Sequence, residues 1–163
     1  MGYFGMKKEN KTNAMRILDQ AKISYTTKYY DCEEFIDGIH IADQLGQDYA
    51  SSFKTLVTIG KTKNYYVLVL PIDKEVDLKK SARVVGEKSL EMLHVKDILA
   101  VTGYIRGGCT SIGMKKRFPT VIHESAQDFE TIIVSGGALG TQIHLAPNDL
   151  QKVTSAKFAD IIE

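Results

Sequence analysis

Apolar positions along the chain change period several times, and each change marks an element. Between Asn10 and Ala21, the residues Ala14, Ile17, Leu18 and Ala21 recur at three- and four-residue spacing behind polar capping residues. That spacing predicts an amphipathic helix packed on a core. Ser24–Tyr30 is rich in β-branched and aromatic residues and predicts a strand. The acidic stretch Asp31–Glu34 with Asp37-Gly38 makes a loop, and a short helix over Ile39–Leu45 ends at Gly46. Phe53–Ile59 and Tyr65–Leu70 are strands joined by the turn Gly60–Asn64, which predicts an antiparallel hairpin. Asp77 caps a helix running to Val85, Gly86 breaks it, and a further helical piece spans roughly Glu91–Val101 before Gly103. Beyond a glycine-broken loop, Thr120–His123, Thr131–Val134 and Gln142–Leu145 read as strands. Pro147–Asp149 opens a short helix or turn, and Phe158–Ile162 is a last strand or helix.

Strands joined by tight turns and interrupted by a central helical segment predict a mixed α+β domain. A chain of 163 residues is long enough to bury a core as one such unit. Met6 is a candidate natural start, and residues 1–10 read as an N-terminal extension before a domain over 11–163. No apolar run approaches a membrane span, and the opening residues lack a signal-peptide pattern, so no membrane and a cytoplasmic location are expected. Cys32 and Cys109 are the two cysteines, too few for a disulfide framework. The net charge of +1 matters for partners. Nonspecific nucleic-acid binding draws on many cation–phosphate contacts. If a protein this neutral handles nucleic acid, it grips a small part of it or leans on a partner.

Candidate chemistry is sparse. His40, His94, His123 and His144 are scattered without metal-ligand spacing, so neither a metal nor a cofactor is expected. Gly60-Lys61-Thr62 lacks the preceding glycine and following helix of a phosphate-binding loop and reads as a hairpin turn. Cys109 lies among glycines and hydroxyls, where loop amides would activate a thiolate. A small residue filling space beside a turn is the commoner reading and the preferred one. Lys54 shares a strand face with Leu56 and Thr58, while Phe53, Thr55, Val57 and Ile59 share the other. Both faces carry apolar residues, which places Lys54 at a pocket rim or, more commonly, at a solvated strand edge. The pairs Gly107-Gly108 and Gly136-Gly137 are turns whose hydroxyl neighbours, Thr110, Ser111 and Ser135, suit a polar pocket. Lys115-Lys116-Arg117 is a solvated face or a phosphate contact beyond that loop.

Five stretches together resemble the YbaK/EbsC family of small bacterial aminoacyl-tRNA deacylases, best known for hydrolysing cysteinyl-tRNA(Pro). They are Lys11–Leu18, Phe53–Leu56, Gly107–Arg117, and Phe129–Gly137 with Leu145–Leu150, in matching order from about Lys11 to the C-terminus. The resemblance implies a curved mixed, mostly antiparallel sheet flanked by helices, related to the editing domain of some prolyl-tRNA synthetases. It puts the family's key lysine at Lys54, with Thr55 beside it, and its pocket tyrosine at Tyr30. Its glycine loops fall on Gly107-Gly108 and on Ser135-Gly136-Gly137. Two departures stand out. Ser111 lies where the first loop often carries a proline, and Asp37-Gly38 stands where an aromatic is frequent, with Phe35 nearby.

The resemblance further implies hydrolysis of mischarged Cys-tRNA(Pro), with release assisted by the substrate's own thiol. Lys54, Gly108, Ser135 and Gly136 would be catalytic, and Tyr30, Thr55, Gly107 and Gly137 would bind substrate. Lys115, Lys116 and Arg117 would be candidates for tRNA contact. The partners implied are the tRNA(Pro) acceptor end and, transiently, prolyl-tRNA synthetase. Loop amides would face the developing oxyanion. The alternatives are a deacylase for another mischarged tRNA, such as Ala-tRNA(Pro), and a non-catalytic module that binds tRNA ends or nucleotides.

Overall fold

The computed structural model describes residues 11–163. The N-terminal extension expected at residues 1–10, with Met6 as its candidate start, lies outside the described residues. Helix α1 (Asn13–Gln20) begins where the Thr12 hydroxyl accepts a hydrogen bond from Met15 N, and it buries Ala14, Met15 and Leu18. Met15 takes the place expected for Ala21, because Ala21 falls past the last turn and is exposed. Strand β1 (Thr26–Tyr29) follows, then α2 (Gly38–Leu45), capped by Asp37 and stopped at Gly46. The hairpin β2 (Phe53–Gly60) and β3 (Tyr65–Pro71) forms as the turn residues predict. Asp77 caps α3 (Leu78–Val85).

The helical piece expected over Glu91–Val101 is only half helical. Leu90–Met92 forms strand β4, a 3-10 turn spans Val95–Asp97, and α4 covers Ile98–Thr102. Pairing of Leu90–Met92 with the far end of β2 outweighs the local preference. A three-residue strand is also too short to display a period of its own. Strands β5 (Thr120–His123), β6 (Ile132–Ser135) and β7 (Thr141–Leu145) follow, then α5 (Pro147–Thr154). The tail resolves as β8 (Lys157–Ala159), parallel to β5.

The strands form two sheets, β1-β7-β6 and β4-β2-β3-β5-β8. The first is antiparallel, and the second is mixed, with β3-β5 and β5-β8 parallel. A bridge from Ser52 to Ile133 links the two. The central strand β3 explains why the sequence there is an unbroken apolar run. Val67 and Val69 enter a core with α1, β5, β6, β7 and α5, while Tyr66, Leu68 and Leu70 enter a second core with α3.

Glu87 ties the β2-β3 turn to the end of α3. Its carboxylate accepts hydrogen bonds from the Thr62 hydroxyl, the Thr62 amide and the Tyr66 hydroxyl. The Thr62 hydroxyl first, then Tyr66, holds the Glu87 carboxyl below its ordinary value of 4.5. Its contribution to stability is therefore complete above that value and disappears as pH falls through the lower folded one. Glu87→Gln is expected to flatten the acid limb of the unfolding midpoint plotted against pH; an unchanged limb would contradict this. Leu68 is fully buried. Leu68→Ala is expected to cost about 2–5 kcal/mol in denaturant unfolding, against almost nothing for the exposed Leu99→Ala.

Candidate active site

The site begins with a strand that is covered along one side and only at its two ends along the other. β2 pairs with β3 from Phe53 to Ile59. On its outer side β4 reaches only Thr58–Gly60, with Leu93 N donating to Val57 O at 3.0 Å. At the other end, Ile133 N of β6 donates to Ser51 O at 2.9 Å. Between these attachments the alternation of an antiparallel strand turns the N–H and C=O of Thr55 outward into the gap. A cavity of about 340 Å³ opens there.

Several expected residues converge on this cavity: Tyr30, Lys54, Thr55, Gly107 and Ser135 all line it. Lys54 is half-buried, on the face that carries Leu56. Its Nζ makes a long 3.4 Å contact to Ile72 O and meets no other acceptor among the described residues. Tyr30 is fixed through its amide, which donates to Gly140 O at 2.9 Å. Burial, first of all, raises the Tyr30 phenol above 10, so it stays protonated and able to donate.

The glycines are divided in their use. Gly107 faces the cavity, but Gly108, Gly136 and Gly137 do not line it. The N–H of Gly108 donates to Ile105 O at 3.0 Å and that of Gly136 to Thr141 O at 2.8 Å, so neither amide is free to receive a substrate oxygen. Gly137 N donates to Ser135 Oγ over 3.5 Å. These residues serve close packing between the loops. A Cβ on Gly108 would sit 3.0 Å from the Ala138 backbone, bringing the second loop hard against the first. The amides of Gly107 and Cys109, by contrast, meet no acceptor among the described residues, and both residues line the cavity.

The basic run does not join them. Lys115 Nζ donates to Ala100 O at 3.1 Å and Arg117 donates to Ser155 Oγ at 2.7 Å; none of Lys115, Lys116 and Arg117 lines the cavity. Residues that the sequence reading did not place in the site complete its walls. Arg106 lies 3.8 Å over the centre of the Phe35 ring, a cation–π contact of about 0.5–1 kcal/mol at an exposed position. Phe35 thus stands near the cavity despite Asp37-Gly38 at the family's usual aromatic position. Gln47 and Gln142 exchange side-chain hydrogen bonds of 2.8 and 3.0 Å on another wall. The cue for Arg106 in the sequence is a cation directly before a glycine pair, weaker than the basic triplet downstream. Gln47 and Gln142 lie far apart in the chain and carry no cue.

Together these features define a pocket on an α+β scaffold, lined by an ammonium group and by residues whose backbone amides have no partner among the described residues. The chain belongs to the aminoacyl-tRNA editing domain family, whose model matches residues 39–153. A curated relative from Enterococcus faecalis, EbsC, is named as a candidate Cys-tRNA(Pro)/Cys-tRNA(Cys) deacylase. It is 48% identical over 158 residues, covering 95% of this chain and 95% of its own. Two solved structures share the fold. One, described as a candidate trans-editing enzyme for prolyl tRNA synthetase, has a TM-score of 0.78 and 20% identity over 93% of this chain and 98% of its own. The other, the hypothetical protein APE2540, has a TM-score of 0.83 and 18% identity over 91% and 98%.

Cys109 lines the cavity as well, but burial pushes its thiol from 9.0 up to about 11. At neutral pH that leaves about a hundredfold less thiolate than in the unfolded chain. In the native protein Cys109 is therefore expected to alkylate with iodoacetamide at least that much more slowly than after denaturation, monitored by peptide mass. Equal rates would contradict the assignment of an inert thiol.

Proposed function

We propose that this chain is a trans-editing deacylase that hydrolyses cysteine mischarged on tRNA(Pro). The observation that carries the reading is Lys54 beside the open backbone edge at Thr55, in a cavity sized for an amino acid and its ester. The 48% identical relative, with its named activity, supports the same assignment. Lys54, Ser135, Gly107 and Thr55 act on the substrate directly. Tyr30 bounds the aminoacyl group, and Gly108, Gly136 and Gly137 hold the two loops together.

Ester cleavage develops negative charge on the carbonyl oxygen, and donors fixed before the reaction lower that barrier. The amides of Thr55, Gly107 and Cys109 are the ones available for it, with the Lys54 ammonium adding charge or holding the terminal nucleotide. The nucleophile is the substrate's own sulfur. It attacks the carbonyl carbon, a C–S bond forms as the C–O bond to the ribose breaks, and the ribose oxygen takes the proton released by the thiol. Water then opens the resulting thiolactone to free cysteine. The cavity's part is to hold thiol and carbonyl in a near-attack arrangement. A near-neutral protein reads little of the tRNA body, so recognition centres on the acceptor end. The choice of tRNA(Pro) then falls to a transient complex with prolyl-tRNA synthetase in the cytoplasm.

Lys54→Ala is expected to lower deacylation of Cys-tRNA(Pro) by about 10²–10³-fold with an unchanged unfolding midpoint; full activity would remove Lys54 from the site. In a panel of mischarged tRNAs, Cys-tRNA(Pro) should be cleaved far faster than Ser-tRNA(Pro), since a hydroxyl is the poorer internal nucleophile. Equal rates would refute thiol-assisted release. Preferential cleavage of Ala-tRNA(Pro) would reassign the substrate, and no cleavage at all would leave a binding module.

A further inference from the structure

We infer that Arg106 is the phosphate-binding residue at the mouth of the cavity, taking the phosphodiester of the 3′-terminal nucleotide while the aminoacyl ester lies inside. The inference rests on the deacylase reading only for the identity of the RNA. Among the residues lining the cavity, Lys54 and Arg106 are the cations, one within and one exposed at the rim. Arg106 has no carboxylate partner and no hydrogen-bond acceptor among the described residues. Its guanidinium is nevertheless positioned, because it rests 3.8 Å over the Phe35 ring. A guanidinium set on an aromatic face keeps the N–H groups around its edge for an anion, in the fork that matches phosphate.

The backbone beneath is built for this arrangement. Gly107 has φ +86, and a Cβ there would come within 2.8 Å of Leu139 and 3.2 Å of Phe35. Glycine at that point lets Phe35 lie against the turn that carries Arg106. The carboxylate lining the same cavity, Asp37, does not oppose an incoming phosphate freely. It accepts from the His40 amide at 2.9 Å and pairs with the His40 ring at 2.8 Å. The Lys115–Arg117 run, the stronger sequence cue for RNA, points its bonded members at Ala100 and Ser155.

The test is binding of an uncharged acceptor-stem minihelix ending in single-stranded CCA, measured across a potassium chloride series. Arg106→Gln is expected to bind roughly tenfold more weakly at low salt. The slope of log affinity against log salt should fall in magnitude by about 0.7, the share of one phosphate contact on a single strand. Arg106→Lys should keep the slope, and Phe35→Leu should weaken binding with the slope retained. The double variant Lys115→Gln/Lys116→Gln should leave the cavity-mouth contribution intact. An unchanged slope in Arg106→Gln, or wild-type protein that does not bind the minihelix, overturns the inference. Arg106-dependent binding by a protein that cleaves no mischarged tRNA would refute the deacylase reading and leave the phosphate site standing.

Discussion

Incomplete pairing along the outer side of β2 is the constraint on which the site depends. A sheet edge exposes N–H and C=O groups that ordinary proteins cover, shorten or charge. Here β4 covers one end and the bridge to β6 covers the other, and Thr55 lies between them. Both ends are anchored to cores on opposite faces of β3, so the interval between them is held open by packing. The gap costs little in stability, because its polar groups face a cavity open to solvent. It also presents backbone donors whose positions are set by a strand rather than by a flexible loop, the preorganisation that stabilisation of an oxyanion requires.

Around that edge the glycine loops act chiefly as construction. Their close approach, Gly108 against Ala138, draws β6 and the segment after α4 to the same hollow. The amides of Gly108 and Gly136 are consumed in making this shape. What lines the cavity is the neighbouring pair Gly107 and Cys109, whose amides meet no acceptor among the described residues, together with Lys54. Cys109 lines the cavity while burial keeps its thiol protonated. Shape and chemistry thus come from adjacent residues in the same turn.

Much of this was legible in the residues. The hairpin followed from two β-rich runs about a five-residue turn, α3 declared both its ends through Asp77 and Gly86, and α2 declared its last turn through Gly46, whereas its cap Asp37 read as loop. Apolar residues on both faces of its strand left Lys54 at a pocket rim or a solvated edge, and the edge, the commoner reading, gave way to a half-buried place on the cavity wall. What the sequence hid was tertiary. Leu90–Met92 becomes a strand only because an edge of β2 waits for it. Whether a glycine amide is free or bonded depends on how its own turn folds, onto Thr141 for Gly136 and onto Ile105 for Gly108, and residue type does not encode the difference. The amide pair Gln47–Gln142 joins residues 95 positions apart. Arg106 and Phe35 meet across a comparable distance in the chain, so a single cation before a glycine pair gave way to the louder basic triplet.

The most direct measurement is backbone amide NMR during titration with a non-hydrolysable 3′-amide analogue of cysteinyl-adenosine. The largest shifts are expected at Thr55, Gly107 and Cys109, with the amides of Gly108 and Gly136 moving little because their hydrogen bonds persist. Shifts confined to Lys115–Arg117, or to the face of the second sheet away from β2, would contradict this.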